Sequence, residues 1–328
     1  MPTSVLFCSS VMWEQYSEQI VAASPGLEAV TYTVGERVSD DDMARITIAF
    51  SSDDLYPAGL PGFFKVCLEA PSLEWIQVFN VGVDHPVFGL MIDKGTRLTT
   101  GSGTSAIPIA HHVIMCLLAL ARDLPGSLAR QKRHEWQPRR IEDLEGRTVG
   151  VIGMGPIGVE VARLAEHFGM NAIGMRRTVT GYEQCETWTF DRLDELLGQV
   201  DDLVLALPLT DDTRNLIGAR QLAMLRRGAR LVNVGRGGLV DEAAMIGALR
   251  TGHLGGAGLD VFVTEPLPDD SPLWDMPNVI ISPHNSGDSP IATQRVNELF
   301  IANLDRWHRG EELHNEVSRE VVGHSTSG

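Results

Sequence analysis

Three polar side chains in the second half of the chain have types suited to acid–base chemistry on a compound that bears a carboxylate. Arg236 stands between Gly235 and Gly237, Glu265 precedes a proline, and His284 follows one. Histidine titrates near neutral pH and can transfer a proton, and a neighbouring carboxylate can orient the imidazole and raise its pKa. A guanidinium binds a carboxylate through two parallel hydrogen bonds. Each residue alone could be structural, but the three together predict a catalytic set.

The three residues are predicted to converge because each follows an apolar run that predicts a β-strand. These runs are Arg230–Val234, Gly256–Val261 and Val279–Ser282. In an open parallel sheet, ligands bind at the carboxyl ends of the strands, and these three loops would meet there. A 2-keto acid needs a carboxylate anchor, a group that polarises its carbonyl and a proton donor. We expect Arg236 to supply the first two and His284 the third.

A glycine-rich loop earlier in the same region predicts a dinucleotide site. It consists of Gly153, Met154, Gly155, Pro156, Ile157 and Gly158. A β-branched run, Thr148–Ile152, precedes the loop and a helical pattern, Gly158–Phe168, follows it, and this context makes the glycine spacing specific. The glycines would permit a tight turn, a close pyrophosphate and close helix–strand packing. The alternative is a glycine-rich turn without a ligand.

The end of the next predicted strand, Asn171–Met175, indicates which dinucleotide would bind. Arg176, Arg177 and Thr178 follow it, and the nearest acid is Glu183. NAD-selective sites usually place an acid about 20 residues after the loop begins, where it binds the ribose hydroxyls. Guanidinium groups would instead pair with the 2′-phosphate of NADP. We therefore expect NADP(H), with NAD(H) as the alternative.

The order of the predicted elements indicates an α/β fold. Short apolar runs alternate with helical segments both in the first hundred residues and again after residue 148, as in βα units that build parallel sheets. Six strand candidates in the second series match a doubly wound sheet. The 328 residues are enough for two domains.

The composition limits the classes of partner. The formal net charge is −16, which disfavours nucleic acid and anionic membrane surfaces. The apolar stretch 107–121 is too short and too polar for a membrane span. The four cysteines form no metal-binding or disulfide pattern, and no signal peptide is recognisable, so we expect a cytoplasmic protein without a metal site.

These motifs, in this order, resemble those of the D-isomer-specific 2-hydroxyacid dehydrogenases, and the likeness is closest to the NADP-preferring branch that reduces glyoxylate and hydroxypyruvate. The resemblance runs from about Leu73 to Val317 and is less clear in the first 70 residues. Besides the glycine loop and the three polar residues, it rests on Leu207-Pro208-Leu209-Thr210 with Thr213, on Asn233-Val234-Gly235, and on Asp260 to Pro266.

The resemblance implies two Rossmann-like domains with parallel sheets. A cofactor domain, residues 103–284, would be inserted into a substrate domain made of 1–102 and 285–328. It implies that Arg236, Glu265 and His284 are catalytic, with His284 the proton donor in reduction, and that the family is typically dimeric, here through residues 106–140. Further cofactor contacts would come from Leu207, Pro208, Thr213, Val234, Gly235, Asp260, His284, Ser286 and Gly287.

The loop Asn80–Asp84 matches the one whose backbone N–H groups hold the substrate carboxylate in that family, which implies a substrate role for Val81 and Gly82. We therefore expect hydride transfer between NADP(H) and a small 2-keto or 2-hydroxy acid. Two alternatives stay open: a regulatory scaffold that binds NAD(P)H without essential catalysis, and a formate- or phosphite-type dehydrogenase on the same fold.

Overall fold

The computed structural model describes residues 4–83 and 85–322, and these contain twelve β-strands that pair in parallel. The strands are β1 (Val5–Ser9), β2 (Glu28–Tyr32), β3 (Ile48–Ser51), β4 (Trp75–Val78), β5 (Arg97–Thr99), β6 (Thr148–Ile152), β7 (Asn171–Met175), β8 (Glu186–Trp188), β9 (Asp202–Leu205), β10 (Ala229–Asn233), β11 (Leu254–Leu259) and β12 (Val279–Ile281).

Helices connect most of the strands. In the described residues they are α1 (Ser10–Ala23), α2 (Asp40–Arg45), α3 (Leu60–Glu69), α4 (Pro86–Asp93), α5 (Ala106–Ala121), α6 (Leu124–Lys132), α7 (Pro156–His167), α8 (Leu193–Gln199), α9 (Ala219–Met224), α10 (Glu242–Arg250), α11 (Pro290–His308) and α12 (Arg319–Val322).

The chain forms two compact units, each with its own sheet. The first unit takes the described residues of 1–104 and 289–328 and holds a five-stranded sheet in the order β2-β1-β3-β4-β5. The second unit, residues 105–288, holds a seven-stranded sheet in the order β12-β11-β10-β9-β6-β7-β8. The predicted architecture of two parallel α/β sheets is confirmed.

The unit boundaries lie at 104/105 and 288/289, against the expected 102/103 and 284/285. The second difference has a physical reason. The backbone N–H groups of Asn285 and Ser286 bind the carboxylate of Asp260, so this loop belongs with the sheet that carries His284.

The seven-stranded sheet is covered on both faces. Successive side chains of a strand point to opposite sides. In β6, Val149 and Val151 pack in one apolar cluster while Ile152 packs in another. A strand buried in this way reads as a continuous apolar run, which is why β6 and β7 agree residue for residue with prediction.

Three strands were missed in the sequence, and one helix was drawn too long. β5 and β8 have three residues each, and β2 is an edge strand whose side chains alternate between buried and exposed. Apolar residues at helical spacing predict one helix from Ala106 to Leu124, but the helix ends at Ala121, and Asp123 adopts a left-handed conformation with φ 51°. Pro125 then lies in the first turn of a second helix, where a missing N–H costs nothing.

No single helix among residues 4–83 and 85–322 is long and apolar enough to cross a membrane; α5 and α6 meet the length and composition only when joined, and they are bent by 62° from one another.

A buried ion pair at the amino end of the seven-stranded sheet gives a test of stability. Asp202 opens β9 and accepts hydrogen bonds of 2.5 and 3.1 Å from Arg230 on β10, and both side chains are buried. We expect Asp202→Ala to lower the free energy of unfolding by about 3–5 kcal/mol, because it leaves a buried guanidinium without its partner. Urea unfolding followed by circular dichroism measures this.

The matched control is Asp194→Ala, which removes an exposed pair with Arg220 and should cost no more than about 1 kcal/mol. Equal losses in the two variants would contradict the importance of the buried pair.

Candidate active site

The glycine loop between β6 and α7 has the conformation that a dinucleotide-binding turn requires. Gly153 has φ 104°, and a Cβ there would lie 2.6 Å from the Ala206 carbonyl oxygen. A Cβ on Gly158 would lie 2.1 Å from the Gly153 carbonyl oxygen. Around Gly155, by contrast, a Cβ would meet nothing within 4 Å. The first and third glycines are therefore required by packing within the protein, and the second faces open space at the start of α7.

The carboxyl end of β9 lies against this loop, and the carboxyl end of β10 lies against that of β9. A Cβ on Gly235, just after β10, would lie 2.7 Å from the Leu207 carbonyl oxygen, just after β9. The segment after Leu207 is folded on itself, because the Thr213 hydroxyl accepts from the Thr210 N–H at 2.7 Å and donates to the Pro208 carbonyl at 2.9 Å. The structure thus brings the predicted cofactor residues of these loops to one edge of the sheet.

The two arginines after β7 differ in their surroundings. Arg176 is half-buried and lies 3.4 Å from a carboxylate oxygen of Glu183. Arg177 is exposed and makes no ion pair within the residues that the structure describes. Thr178 is also exposed.

Glu183 is held by its own loop. Its carboxylate accepts from the Thr180 N–H at 2.6 Å, the Thr180 hydroxyl at 2.8 Å and the Gly181 N–H at 2.8 Å. These hydrogen bonds, of which that from the Thr180 N–H has the largest effect, outweigh desolvation and lower the pKa of Glu183 to about 2. The acid nearest to the end of β7 is therefore ionised and already engaged in folding a turn.

His284 and Glu265 form a hydrogen-bonded pair. The Nδ1 atom of His284 lies 2.8 Å from Oε2 of Glu265, and the other carboxylate oxygen accepts from the Phe262 N–H at 3.0 Å. Burial alone would raise the pKa of Glu265, but these hydrogen bonds and the charges of His284 and Arg236 lower it. The carboxylate is thus ionised at neutral pH and can orient the imidazole.

Arg236 lies in the neighbouring loop. Its Nη1 donates to the Gly235 carbonyl at 2.8 Å, and its own carbonyl accepts from Asn233 at 2.9 Å. The next residue, Gly237, contacts the loop of Glu265 so closely that a Cβ would lie 1.9 Å from the Phe262 carbonyl carbon. The structure therefore places all three predicted catalytic residues on adjoining loops of one sheet edge.

The carboxylate of Asp260 contacts the loop that carries His284. Its buried carboxylate accepts from the Ser282 hydroxyl at 2.6 Å, the Asn285 N–H at 3.1 Å and the Ser286 N–H at 3.2 Å, and also from the Ser286 hydroxyl. Both oxygens thus bind the loop that carries His284. Gly287, the last residue predicted to contact the cofactor, packs against Ser105 and Ile109 at the start of α5.

His112 on α5 was not predicted to belong to this network. Its Nε2 lies 3.1 Å from the Ser282 hydroxyl and 3.5 Å from the sulfur of Cys116. Burial lowers the pKa of His112 and outweighs the opposing charge of Asp260. The Ser282 partner of His112 is 170 positions away, and no local signal in the sequence identifies it.

The predicted substrate loop belongs to the first unit. Val81 and Gly82 follow β4, Val81 is exposed, and the Asn80 side chain donates to the Gly82 carbonyl. Asp84 lies outside the described residues. Across residues 4–83 and 85–322, no group of three His, Cys, Asp or Glu side chains could hold a metal ion.

The chain is similar to known proteins over most of its length. Residues 114–286 match the sequence profile described as D-isomer specific 2-hydroxyacid dehydrogenase, NAD binding domain. The chain is 39% identical over 261 residues to glyoxylate/hydroxypyruvate reductase B of Pectobacterium atrosepticum, and this match covers 77% of this chain and 81% of that protein. It is 36% identical over 254 residues to D-3-phosphoglycerate dehydrogenase of Methanocaldococcus jannaschii, covering 76% of this chain but only 48% of that longer protein.

The solved structure of an NADPH-dependent glyoxylate/hydroxypyruvate reductase from Sinorhizobium meliloti, in complex with NADP and sulfate, superposes with a TM-score of 0.81 at 30% identity. The match covers 97% of this chain and 99% of that one. These relatives are named as dehydrogenases or reductases, which confirms the predicted enzyme class, an NAD(P)-dependent 2-hydroxyacid dehydrogenase, and favours neither alternative function. The chain belongs to the D-isomer specific 2-hydroxyacid dehydrogenase family.

Proposed function

We propose that the protein reduces a small 2-keto acid to the D-2-hydroxy acid with NADPH. The observation that carries this proposal is the 2.8 Å contact between His284 and Glu265, on a loop adjoining that of Arg236. The pair provides a proton donor whose orientation is fixed, and the arginine provides a carboxylate anchor. Glyoxylate and hydroxypyruvate are the substrates named for several relatives, and both have this small 2-keto acid form.

The residues present fit a bound dinucleotide. The open space at Gly155 leaves room for a pyrophosphate against the backbone, and the free N–H groups at the start of a helix such as α7 favour an anion. When bound, the nicotinamide supplies the hydride. We assign Leu207, Pro208, Thr213, Val234 and Gly235 to the surroundings of the dinucleotide, because the loop after β9 adjoins the glycine loop and the loop after β10 adjoins the one after β9.

The chain's own residues manage the proton and the carboxylate. Arg236 binds the substrate carboxylate and polarises the carbonyl that is reduced. Glu265 accepts the Nδ1 hydrogen of His284, so the proton on Nε2 is the one delivered to the alkoxide as it forms. The backbone N–H groups at Val81 and Gly82 are proposed to bind the substrate carboxylate as well, as the family resemblance implies.

The preference for NADP over NAD follows from charge. Arg177 is exposed and unpaired among the described residues, so its guanidinium is available for a 2′-phosphate. Glu183, the acid that could serve a ribose diol, is occupied by Thr180 and Gly181. The related enzyme from Sinorhizobium meliloti is named NADPH-dependent and was solved with NADP.

We further propose a homodimer through residues 106–140. Exposed apolar side chains are concentrated on α5, α6 and the segment after them: Ile107, Met115, Leu124, Leu128 and Trp136. Trp136 is 97% exposed, which is costly for an isolated indole and typical of an interface residue.

We also propose a cytoplasmic location, because all four cysteines are free thiols.

The proton-donor role predicts that His284→Ala lowers kcat for keto-acid reduction by about 10²–10⁴-fold, because a general acid contributes that much. Loss of nicotinamide absorbance with glyoxylate or hydroxypyruvate measures kcat, and NADPH fluorescence shows that the cofactor still binds. The control is His167→Ala at the far end of α7, which should leave both unchanged. Near-normal turnover in His284→Ala would contradict the assignment.

The ion pair predicts a change in pH dependence for Glu265→Gln. Because the pKa of Glu265 is lowered, the wild-type carboxylate stays negative throughout the neutral range and stabilises the imidazolium that donates the proton. Removing that charge should move the alkaline fall of kcat/KM for reduction to lower pH, by roughly one pH unit. A profile that keeps its position, or moves to higher pH, would show that Glu265 does not act through His284.

The cofactor preference predicts that Arg177→Ser lowers kcat/KM for NADPH by roughly 10–100-fold, since it removes a charge-assisted hydrogen bond, and leaves the value for NADH unchanged. The control is Arg250→Ser, an exposed arginine at the end of α10. A strong wild-type preference for NADH would refute the role given to Arg176 and Arg177.

A further inference from the structure

A chain of hydrogen bonds runs from α5 to the loop of His284. Nε2 of His112 lies 3.1 Å from the Ser282 hydroxyl, which lies 2.6 Å from Oδ1 of Asp260. Asp260 in turn accepts the N–H groups of Asn285 and Ser286, the two residues that follow His284. Four successive groups thus connect a helix side chain to the backbone beside the proton donor.

The direction of each hydrogen bond follows from the chemistry of the groups. A carboxylate only accepts, so the Ser282 hydroxyl donates its single hydrogen to Asp260. The lone pairs of Ser282 are then left to accept from His112, which places a hydrogen on Nε2. The thiol of Cys116 lies farther from Nε2, at 3.5 Å, and burial raises its pKa to about 12, so no thiolate competes for that hydrogen.

The backbone at His284 needs such support. His284 has φ 54°, a left-handed conformation that non-glycine residues rarely adopt and that persists where the surroundings fix it. Its side chain is 47% exposed, so packing holds the imidazole only in part. The contacts with Asp260 constrain the adjacent peptide groups instead.

We propose that His112 is a positioning residue for the reduction: its N–H fixes the Ser282 hydroxyl, and through Asp260 it sets the backbone that aims His284. The effect on the loop stands on geometry alone, and the effect on catalysis rests on the proposed function. A histidine that merely filled space would contribute packing to α5 without affecting the loop of His284.

The test compares His112→Leu with His112→Gln and Ser282→Ala in the full-length protein. Leucine removes the donor, whereas the amide of glutamine can restore a hydrogen near the position of Nε2. Hydrogen–deuterium exchange of the peptides that cover residues 283–288 should be roughly tenfold faster in His112→Leu and Ser282→Ala, since each breaks the chain of hydrogen bonds. It should return toward the wild-type rate in His112→Gln.

A matched control separates this effect from general loss of stability. His253 is also partly buried, and its Nε2 lies 2.9 Å from the Leu222 carbonyl oxygen. His253 comes just before β11, at the opposite end of that strand from Asp260. His253→Leu should leave exchange in 283–288 unchanged. Wild-type exchange in both His112→Leu and Ser282→Ala would overturn the proposal, whether or not the protein reduces keto acids.

Kinetics test the catalytic part. A mispositioned donor makes proton transfer slower, so His112→Leu should lower kcat about tenfold with little change in the KM for NADPH, and should increase the solvent deuterium isotope effect on kcat. His112→Gln should recover both. Combining His112→Leu with Ser282→Ala should cost no more than either variant alone, because they interrupt one path. Additive losses would show that the two residues act separately. A wild-type enzyme that is inactive on keto acids would refute the proposed function, and the exchange experiment would still test the effect of His112 on the loop.

Discussion

The buried carboxylate of Asp260 is the group on which the geometry of the site depends. It follows β11 and accepts hydrogen bonds from Ser282, Asn285 and Ser286. A buried carboxylate costs several kcal/mol unless its oxygens are satisfied, so the protein must fold this loop against it. That requirement makes the left-handed conformation of His284 tolerable. The imidazole of His284 is thereby placed by a carboxylate that does not itself touch it.

The remaining loops are fitted to one another through backbone contacts. At Gly153, Gly235 and Gly237 a Cβ would come within 2.8 Å of atoms in the adjoining loop, and these three glycines therefore set the spacing of the sheet edge. Gly155 is the exception because it faces open space. The loop Gly153–Gly158 therefore contains both glycines that packing requires and a glycine suited to a ligand, and only the structure shows which is which.

The sequence was sufficient for the features that depend on local pattern. Continuous apolar runs located β6 and β7, and strand ends followed by Arg236, Glu265 and His284 located one sheet edge. Short or edge strands such as β8 escaped because three residues hold too little pattern. The roles of His112 and Asp260 escaped for another reason: their partners lie 22 to 170 positions away, and side-chain hydrogen bonds of that range depend on how the helix and sheet pack.

The net charge of the protein bears on which arginines can bind an anionic cofactor. With a net charge of −16, the protein's overall field repels an anionic cofactor and an anionic substrate, so association gains nothing from long-range steering. Affinity must then come from short-range groups whose charge is not already cancelled. Many arginines are cancelled, as Arg163 is by Glu160 and Arg192 by Glu195. An exposed Arg177 beside a dinucleotide loop, in a chain this acidic, is therefore a better indication of phosphate binding than the same residue would be in a basic protein.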